Sequence, residues 1–475
     1  VNESESDNDW FKFDLGIELD GKKISLIPAI AAAISSGMYK DYDFPDAADA
    51  RIPIPLEENL FVNFPAARFK QILEKIQDLF QHINADGEIE IPRLRAATLV
   101  DDLDLAKSNK TLKDLAELGK NLKNIDGLPK VRVPKNLKAE LRDYQLTGYQ
   151  WLQFLAKYKL NGVLADDMGL GKTIQALTHI LAEKNSKTKN PEKLPTLVIA
   201  PTSVIPNWCS EAEKFTPSLK VLLYHGSERE NLFAQIPKHD IVVTSYALLQ
   251  RDADLHIKQP YHIVVLDESQ YIKNAATKTT KTANKLNANQ RICLSGTPME
   301  NHLGELWSTF NFLMPGLLQS HKSFNANFRK PIEKDGDTAV QMSLSRRVGP
   351  LIMRRTKDLV AKELPAKTII PHYITLNEQQ VDLYETVRAS MDKRVRDAIS
   401  QQGFNKSHIL ILDALLKLRQ ICCHPQLLKT AAAKKVKSSG KLDYLTELLQ
   451  TLIEEKRNIL IFSQFTSMLS LIEQH

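Results

Sequence analysis

Asp166-Asp167-Met168-Gly169-Leu170-Gly171-Lys172-Thr173 follows a short apolar run, 162–165, and precedes a helical stretch, 173–183. A bound phosphate needs clustered backbone N–H donors with no Cβ in the way, and the glycines permit that approach. The start of the helix adds the positive end of its dipole. In this arrangement Met168, Gly169, Leu170 and Gly171 form the cradle. Lys172 reaches the β- and γ-phosphates, and Thr173 holds Mg²⁺ through its hydroxyl. The match to the phosphate-loop pattern departs at one place, because Asp166 stands where the pattern has its first glycine.

Working outward from this turn, the runs 162–165, 197–200, 221–224, 241–243, 263–266 and 292–294 are short and almost wholly apolar. Such runs fit strands buried on both faces of a parallel sheet. Helical stretches such as 173–183 and 205–215 alternate with them. Repeated β-α alternation predicts an α/β fold with a doubly wound parallel sheet and ligands at the carboxyl ends of its strands.

The run 261–266 ends in Asp267-Glu268-Ser269-Gln270. A carboxylate at a strand's carboxyl end can sit across the sheet from the phosphate loop. Asp267 then binds the hydration shell of Mg²⁺, and Glu268 orients and deprotonates an attacking water. After the next strand, Ser295 and Thr297 can hydrogen-bond Glu268 or Gln270 and report the state of the phosphate. Upstream, Arg142 and Gln145 precede the nucleotide strand, and a Gln amide offers the donor and acceptor that suit the N6 and N7 edge of adenine.

The rest of the chain bounds the answer. It has 475 residues, 43% apolar and 25% charged, which is an ordinary globular composition with room for several cores. The net charge of +6 permits a polyanion partner without demanding one. No apolar stretch reaches the ~20 residues of a membrane span. The chain begins at Val1 with an acidic, polar segment instead of a signal peptide. Four cysteines fit a reducing compartment better than a disulfide framework. Cys422-Cys423-His424 lacks the spacing of a zinc site and reads as a packed helix end before Pro425.

Residues 1–135 read as an α+β accessory region. Alternation over 10–19, an Asp20-Gly21 turn and a second run at 24–27 predict a hairpin. Apolar spacing predicts a helix over 69–83, and leucines at helical spacing mark 100–130. The first nucleotide-binding lobe spans 136–318, a helical insertion and linker spans 319–356, and a second, helix-rich lobe begins at 357. In that last part 377–420 is helical and 458–462 reads as a buried strand. One strand makes no sheet, so this lobe reads as incomplete at His475.

The motifs LRDYQ, DDMGLGKT, APTSVIPNW, TSY, LDESQYIKN, LSGTPMEN, MRRTK, LRQICCHP, SGKL and ILIFSQF follow one another in this order. The series resembles the SWI/SNF-type ATPases of helicase superfamily II, in a bacterial member, over roughly seventy per cent of the chain. The resemblance implies two RecA-like lobes with ATP and Mg²⁺ between them, and movement along double-stranded DNA without strand separation. It places Gln145 at adenine, Lys172 and Thr173 at phosphate and metal, and Asp267, Glu268 and Gln270 at hydrolysis. It assigns Ser295 and Thr297 to coupling. Thr202, Ser203, Thr244, Ser245, Lys273 and Asn274 fall to the DNA backbone, and their hydroxyl, amide and ammonium groups suit phosphates more than bases. Trp208 reads as core more than as a DNA wedge. Arg354-Arg355 reads as a brace between lobes.

Asp167 stands where the family usually has Glu. The family's last two motifs, which carry an arginine finger, fall outside the sequence. Such a finger contributes ~10³ to 10⁵ in rate. This chain is therefore expected to hold ATP and turn it over slowly. The alternatives are a regulatory module that binds ATP and DNA, and a polymerase-recycling ATPase with RNA polymerase or another DNA-bound protein as partner. A monomer with no membrane contact is expected, cytoplasmic, at the nucleoid in a bacterium or in the nucleus of a eukaryote.

Overall fold

The computed structural model describes residues 130–475 except 187–189, 298, 300 and 361–366. Before 130 it describes only 2–3, 10–13, 16–19, 22–25, 27, 50–57, 60–67, 69–70, 89–92, 96–97, 113 and 116–120. The chain divides into two compact units, Val1–Leu364 and Pro365–His475.

The described N-terminal strands are antiparallel. β1 (Asn2–Glu3) and β7 (Ile89–Pro92) flank β2 (Trp10–Phe13), β3 (Gly16–Leu19) pairs with β4 (Lys22–Ser25), and β5 (Arg51–Glu57) pairs with β6 (Leu60–Pro65). The predicted hairpin is therefore β3–β4, with Leu19 opposite Lys22. The alternating run is split, because β2 pairs with β7 instead. Of the predicted helix over 69–83 only Phe69 and Lys70 are described, and most of 100–130 also lies outside the described residues. Ile27, Ile52 and Phe69 are buried in the same cluster as the main sheet.

The main sheet has seven parallel strands in the order β10-β11-β9-β12-β13-β8-β14. They are β8 (Gly162–Leu164), β9 (Thr196–Ala200), β10 (Val221–Leu223), β11 (Ile241–Ser245), β12 (Tyr261–Asp267), β13 (Ala288–Leu294) and β14 (Ile352–Met353). The apolar runs become these strands because helices cover both faces. Every residue of β9, β11 and β12 is buried. A side chain such as Val265 or Leu266 gains about 1.5–3 kcal/mol from leaving water. The covering helices include α1 (Asp143–Lys157), α2 (Lys172–Asn185), α3 (Ile205–Phe215), α4 (Tyr246–Arg251) and α5 (Leu303–Leu313). β14 has only two residues, too few to show as an apolar run, yet it adds a strand beside β8.

The second unit is helical. α6 (Glu378–Gln402) and α7 (Phe404–Cys423) replace the single predicted stretch, broken where Gly403 takes φ +77°. α8 (Gly440–Glu454) packs Leu442 against Leu427 and Met468. α7 ends at Cys423, and His424 Nδ1 accepts from Gln426 N at 3.1 Å, so this is the packed helix end that the sequence predicted. The strand predicted over 458–462 is not formed. A strand needs a ladder of neighbouring backbone groups, and none of the described residues of 365–475 forms one. Leu460 and Phe462 are 84% and 87% exposed.

Candidate active site

The phosphate loop joins β8 to α2. Gly169 and Gly171 take φ of +86° and +77°, which a Cβ makes costly. Gly171 also touches its neighbour, since a Cβ there would stand 2.5 Å from Gln145 Nε2. α2 then starts at Lys172 with no side-chain cap, so its first N–H groups face the loop. Lys172 Nζ donates to the carbonyl of Asp166 at 2.8 Å. Thr173 is the second residue of α2 and is half-buried. Met168 is exposed at the crown and lies 3.3 Å from where a Cβ on Gly296 would sit.

The acidic pair ends β12, two strands from the loop. Asp267 is level with Leu294 of β13, and Leu294 is level with Leu164 of β8. At about 4.8 Å per strand spacing, the pair and the loop share one sheet edge roughly 10 Å apart, room for a triphosphate and its metal. Their fields also meet. Burial pushes the Asp267 carboxyl above the ordinary range, and the Trp208 indole N–H and the Lys172 ammonium pull it back.

Asp267 is held on several sides. Trp208 Nε1 donates to Oδ2 at 2.7 Å, and the backbone N–H of Glu268 donates to Oδ1 at 3.0 Å. Tyr246 Oη donates to its carbonyl at 2.8 Å, with the Tyr246 ring stacked on Tyr271 at 4.8 Å. Glu211, on α3, is a further carboxyl raised first by burial and then by Asp267. Trp208 is core, as expected, at 1% exposure. The sequence did not show that its N–H fixes the acid.

Glu268 takes φ +50° and ψ +57°, a left-handed conformation that costs a residue with a side chain about 1–3 kcal/mol. Its carboxylate accepts from Gln270, whose Nε2 donates to Oε2 at 2.9 Å. Ser295 Oγ donates to Gln270 Oε1 at 3.2 Å, and Thr297 N donates to Ser295 Oγ at 3.0 Å. Four of the predicted residues thus form one hydrogen-bonded chain from the acid to the next strand end.

Gln145 lies under the loop. Its Nε2 donates to Leu170 O at 3.2 Å, and its Oε1 accepts from Arg142 N at 3.0 Å, tying α1 to the cradle. Next to it, Glu140, Leu141, Arg142, Asp143, Tyr144 and Val360 line an open pocket of about 660 Å³. The predicted DNA residues divide into two groups. Thr202, Ser203 and Asn274 are exposed. Lys273 is half-buried, with Nζ 3.7 Å from Glu305 Oε1. Thr244 and Ser245 are buried and their hydroxyls are engaged internally. Thr244 Oγ1 donates to Tyr224 O at 3.0 Å, and Ser245 Oγ caps α4 through Leu248 N at 3.2 Å. These two lie buried at the carboxyl end of β11, where their oxygens shape the strand end and the start of α4.

Arg354 is exposed, whereas Arg355 is half-buried and its guanidinium pairs with the buried Asp166 beneath the phosphate loop.

Residues 144–427 match the family model described as the SNF2-related domain. The chain belongs to the SNF2-related family. It is 35% identical to YwqA of Bacillus subtilis over 84% of this chain and 45% of that protein. It is 34% identical to the human TATA-binding protein-associated factor 172 over 78% of this chain and 23% of that protein. The chain therefore spans less than half the length of these curated relatives. A solved structure, the Sulfolobus solfataricus SWI2/SNF2 ATPase core in complex with dsDNA, shares 36% identity over 73% of this chain and 71% of that one, with a TM-score of 0.47.

Proposed function

We propose that this chain carries the ATP site of a DNA-stimulated ATPase that translocates on double-stranded DNA. The observation that carries the reading is the convergence of the phosphate loop and the acidic pair on one sheet edge. The residues present fit Mg²⁺. One carboxylate, Asp267, and one hydroxyl, Thr173, make the sparse ligand set of an ion that keeps several waters and takes its other ligands from phosphates. When bound, the ion neutralises charge on the transferring phosphoryl group.

The chain's own residues do the rest. Lys172 exchanges the Asp166 carbonyl for phosphate oxygens. Gln145 and the pocket beside it receive the base. Glu268, held by Gln270, orients a water and accepts its proton. Ser295 and Thr297 sense that step through Gln270. Thr202, Ser203, Lys273 and Asn274 supply contacts to duplex backbone without reading sequence. YwqA and a Mycoplasma pneumoniae relative that is 38% identical carry the name of ATP-dependent helicases, which supports the same reading.

The test is phosphate release with and without duplex DNA from a protein that also carries the two motifs with the arginine finger, wild type against Glu268→Gln, beside the same assay on the 475-residue chain, which should release phosphate slowly with or without DNA. Release by the longer protein that rises with any duplex and is lost in the variant supports the reading. Release that is indifferent to both DNA and Glu268 would contradict it.

A further inference from the structure

Residues 352–357 run alongside the phosphate loop. β14 sits next to β8, Ala165 N donates to Met353 O at 2.7 Å, and Asp167 N donates to Arg355 O at 3.0 Å. Lys357 N donates to Asp167 Oδ2 at 3.1 Å, so the carboxylate that replaces the family's Glu also holds this segment. The Arg355 side chain turns back beneath the loop. Its Nε donates to Asp166 Oδ1 at 2.8 Å, and Nη2 donates to Asp166 Oδ2. Nη2 also donates to Gln175 Oε1 at 2.8 Å, and Nη1 donates to the carbonyl of Tyr144. Gln175 in turn donates to the carbonyl of Gly171 at 3.1 Å. Asp166 is fully buried, and Arg355 is 13% exposed.

We propose that Arg355 is a positioning residue of the nucleotide site, fixing the curve of the phosphate loop through Asp166 and Gln175. The inference rests on the reading of that loop as the triphosphate site. A buried carboxylate with no counter-charge is costly, whereas a two-pronged guanidinium satisfies both of its oxygens in one fixed plane. The pair pins the first residue of the turn, and Gln175 carries the restraint to the last. Lys172 Nζ rests on the Asp166 carbonyl, so the same restraint aims the phosphate-binding ammonium. This explains the departure from the glycine pattern. The first position of the turn is anchored from behind by a side chain from a distant segment, and a glycine there has nothing to be anchored by. A cradle held in shape before its ligand arrives loses less ordering entropy on binding.

Gly148 offers a test that removes no charge. A Cβ built on it would stand 1.9 Å from Gln175 Oε1 and 2.8 Å from Arg355 Nη2, both at the ends of flexible side chains. Gly148→Ala therefore pushes the clamp aside while improving helix propensity in α1. The experiment measures binding of a fluorescent ATP analogue with Mg²⁺, and competition by adenosine, for the 475-residue chain. It compares wild type, Lys172→Ala, Arg355→Ala and Gly148→Ala, with a melting curve for each.

The expected result is an ATP affinity about tenfold or more weaker in Arg355→Ala and Gly148→Ala. Adenosine, which has no phosphate for the loop to hold, binds Gly148→Ala as it binds wild type; Arg355→Ala also gives up its bond to the Tyr144 carbonyl beside the base pocket. If Gly148→Ala keeps wild-type ATP affinity, or loses adenosine and ATP alike, the proposal is overturned. Should Arg355→Ala fail to fold, Gly148→Ala decides alone. Failure of the underlying reading looks different: wild type does not bind the analogue, or Lys172→Ala binds it equally well, and either result removes the inference too.

Discussion

Trp208→Phe separates the orientation of the acid from everything else in the site. The substitution keeps an aromatic ring at a core position that is 1% exposed and deletes one N–H. That N–H is 2.7 Å from Asp267 Oδ2. A hydrogen bond to a charged group contributes about 1.5–3 kcal/mol, a factor of roughly ten to a hundred and fifty. The loss falls on the ionised acid. Burial already pushes the Asp267 carboxyl up, and the Trp208 N–H is the strongest influence opposing it. Without that donor the carboxyl holds its proton to higher pH and loses its fixed direction. The assay is affinity for a fluorescent ATP analogue at neutral pH, with Mg²⁺ and with a chelator. The gain due to Mg²⁺ should shrink by about that factor, and part of it should return as pH is raised. Binding in chelator should not change, because the loop and Lys172 are intact. A folded Trp208→Phe protein with a wild-type Mg²⁺ gain at every pH would refute the reasoning.

Three further outcomes are expected. Glu268→Gln should bind nucleotide like wild type while, in a protein that also carries the arginine-finger motifs, phosphate release falls by about 10² to 10⁴, the range of a general base; equal losses in binding and turnover would argue against the assignment. His256 is buried beside Tyr261 Oη at 2.7 Å, and burial pushes it down to about 4 from 6.5. Between those values the unfolded chain binds more protons than the folded one. Stability is therefore complete above pH 6.5 and falls as pH drops, by about 3 kcal/mol near pH 4. His256→Asn should flatten that acid limb in denaturant titrations, and an unchanged limb would show that another group causes it. Duplex binding should be blind to sequence and fall linearly in log K against log salt; a salt-independent affinity would exclude backbone contacts as its source.

The sheet was legible because burial on both faces leaves continuous apolar runs. All six predicted runs are strands, and 205–215 is a helix at the expected bounds. What escaped the sequence has three physical causes. Ile352–Met353 is too short to carry a pattern and is a strand only because β8 has a free edge there. The run 458–462 has the composition of a buried strand, but composition supplies no partner. Trp208, Tyr246 and Arg355 act through contacts 59, 21 and 189 residues away in sequence, which local spacing cannot show. One signal was present: Asp166 in place of a glycine marks a loop anchored by a charge. Sequence also did not show what the two hydroxyls after β11 touch: Thr244 bonds the Tyr224 carbonyl and Ser245 caps α4, uses to which hydroxyl residues are well suited.

The central claim is that the phosphate loop and the acidic pair hold one nucleotide between them. Its most direct test is Mg²⁺-dependent binding of an ATP analogue, with Mg²⁺ and with a chelator, for wild type, Lys172→Ala and Asp267→Asn. The account predicts that Lys172→Ala abolishes binding. It predicts that Asp267→Asn keeps binding in chelator but loses the Mg²⁺ gain. An Asp267→Asn protein with the full Mg²⁺ gain would mean that the two motifs serve different places.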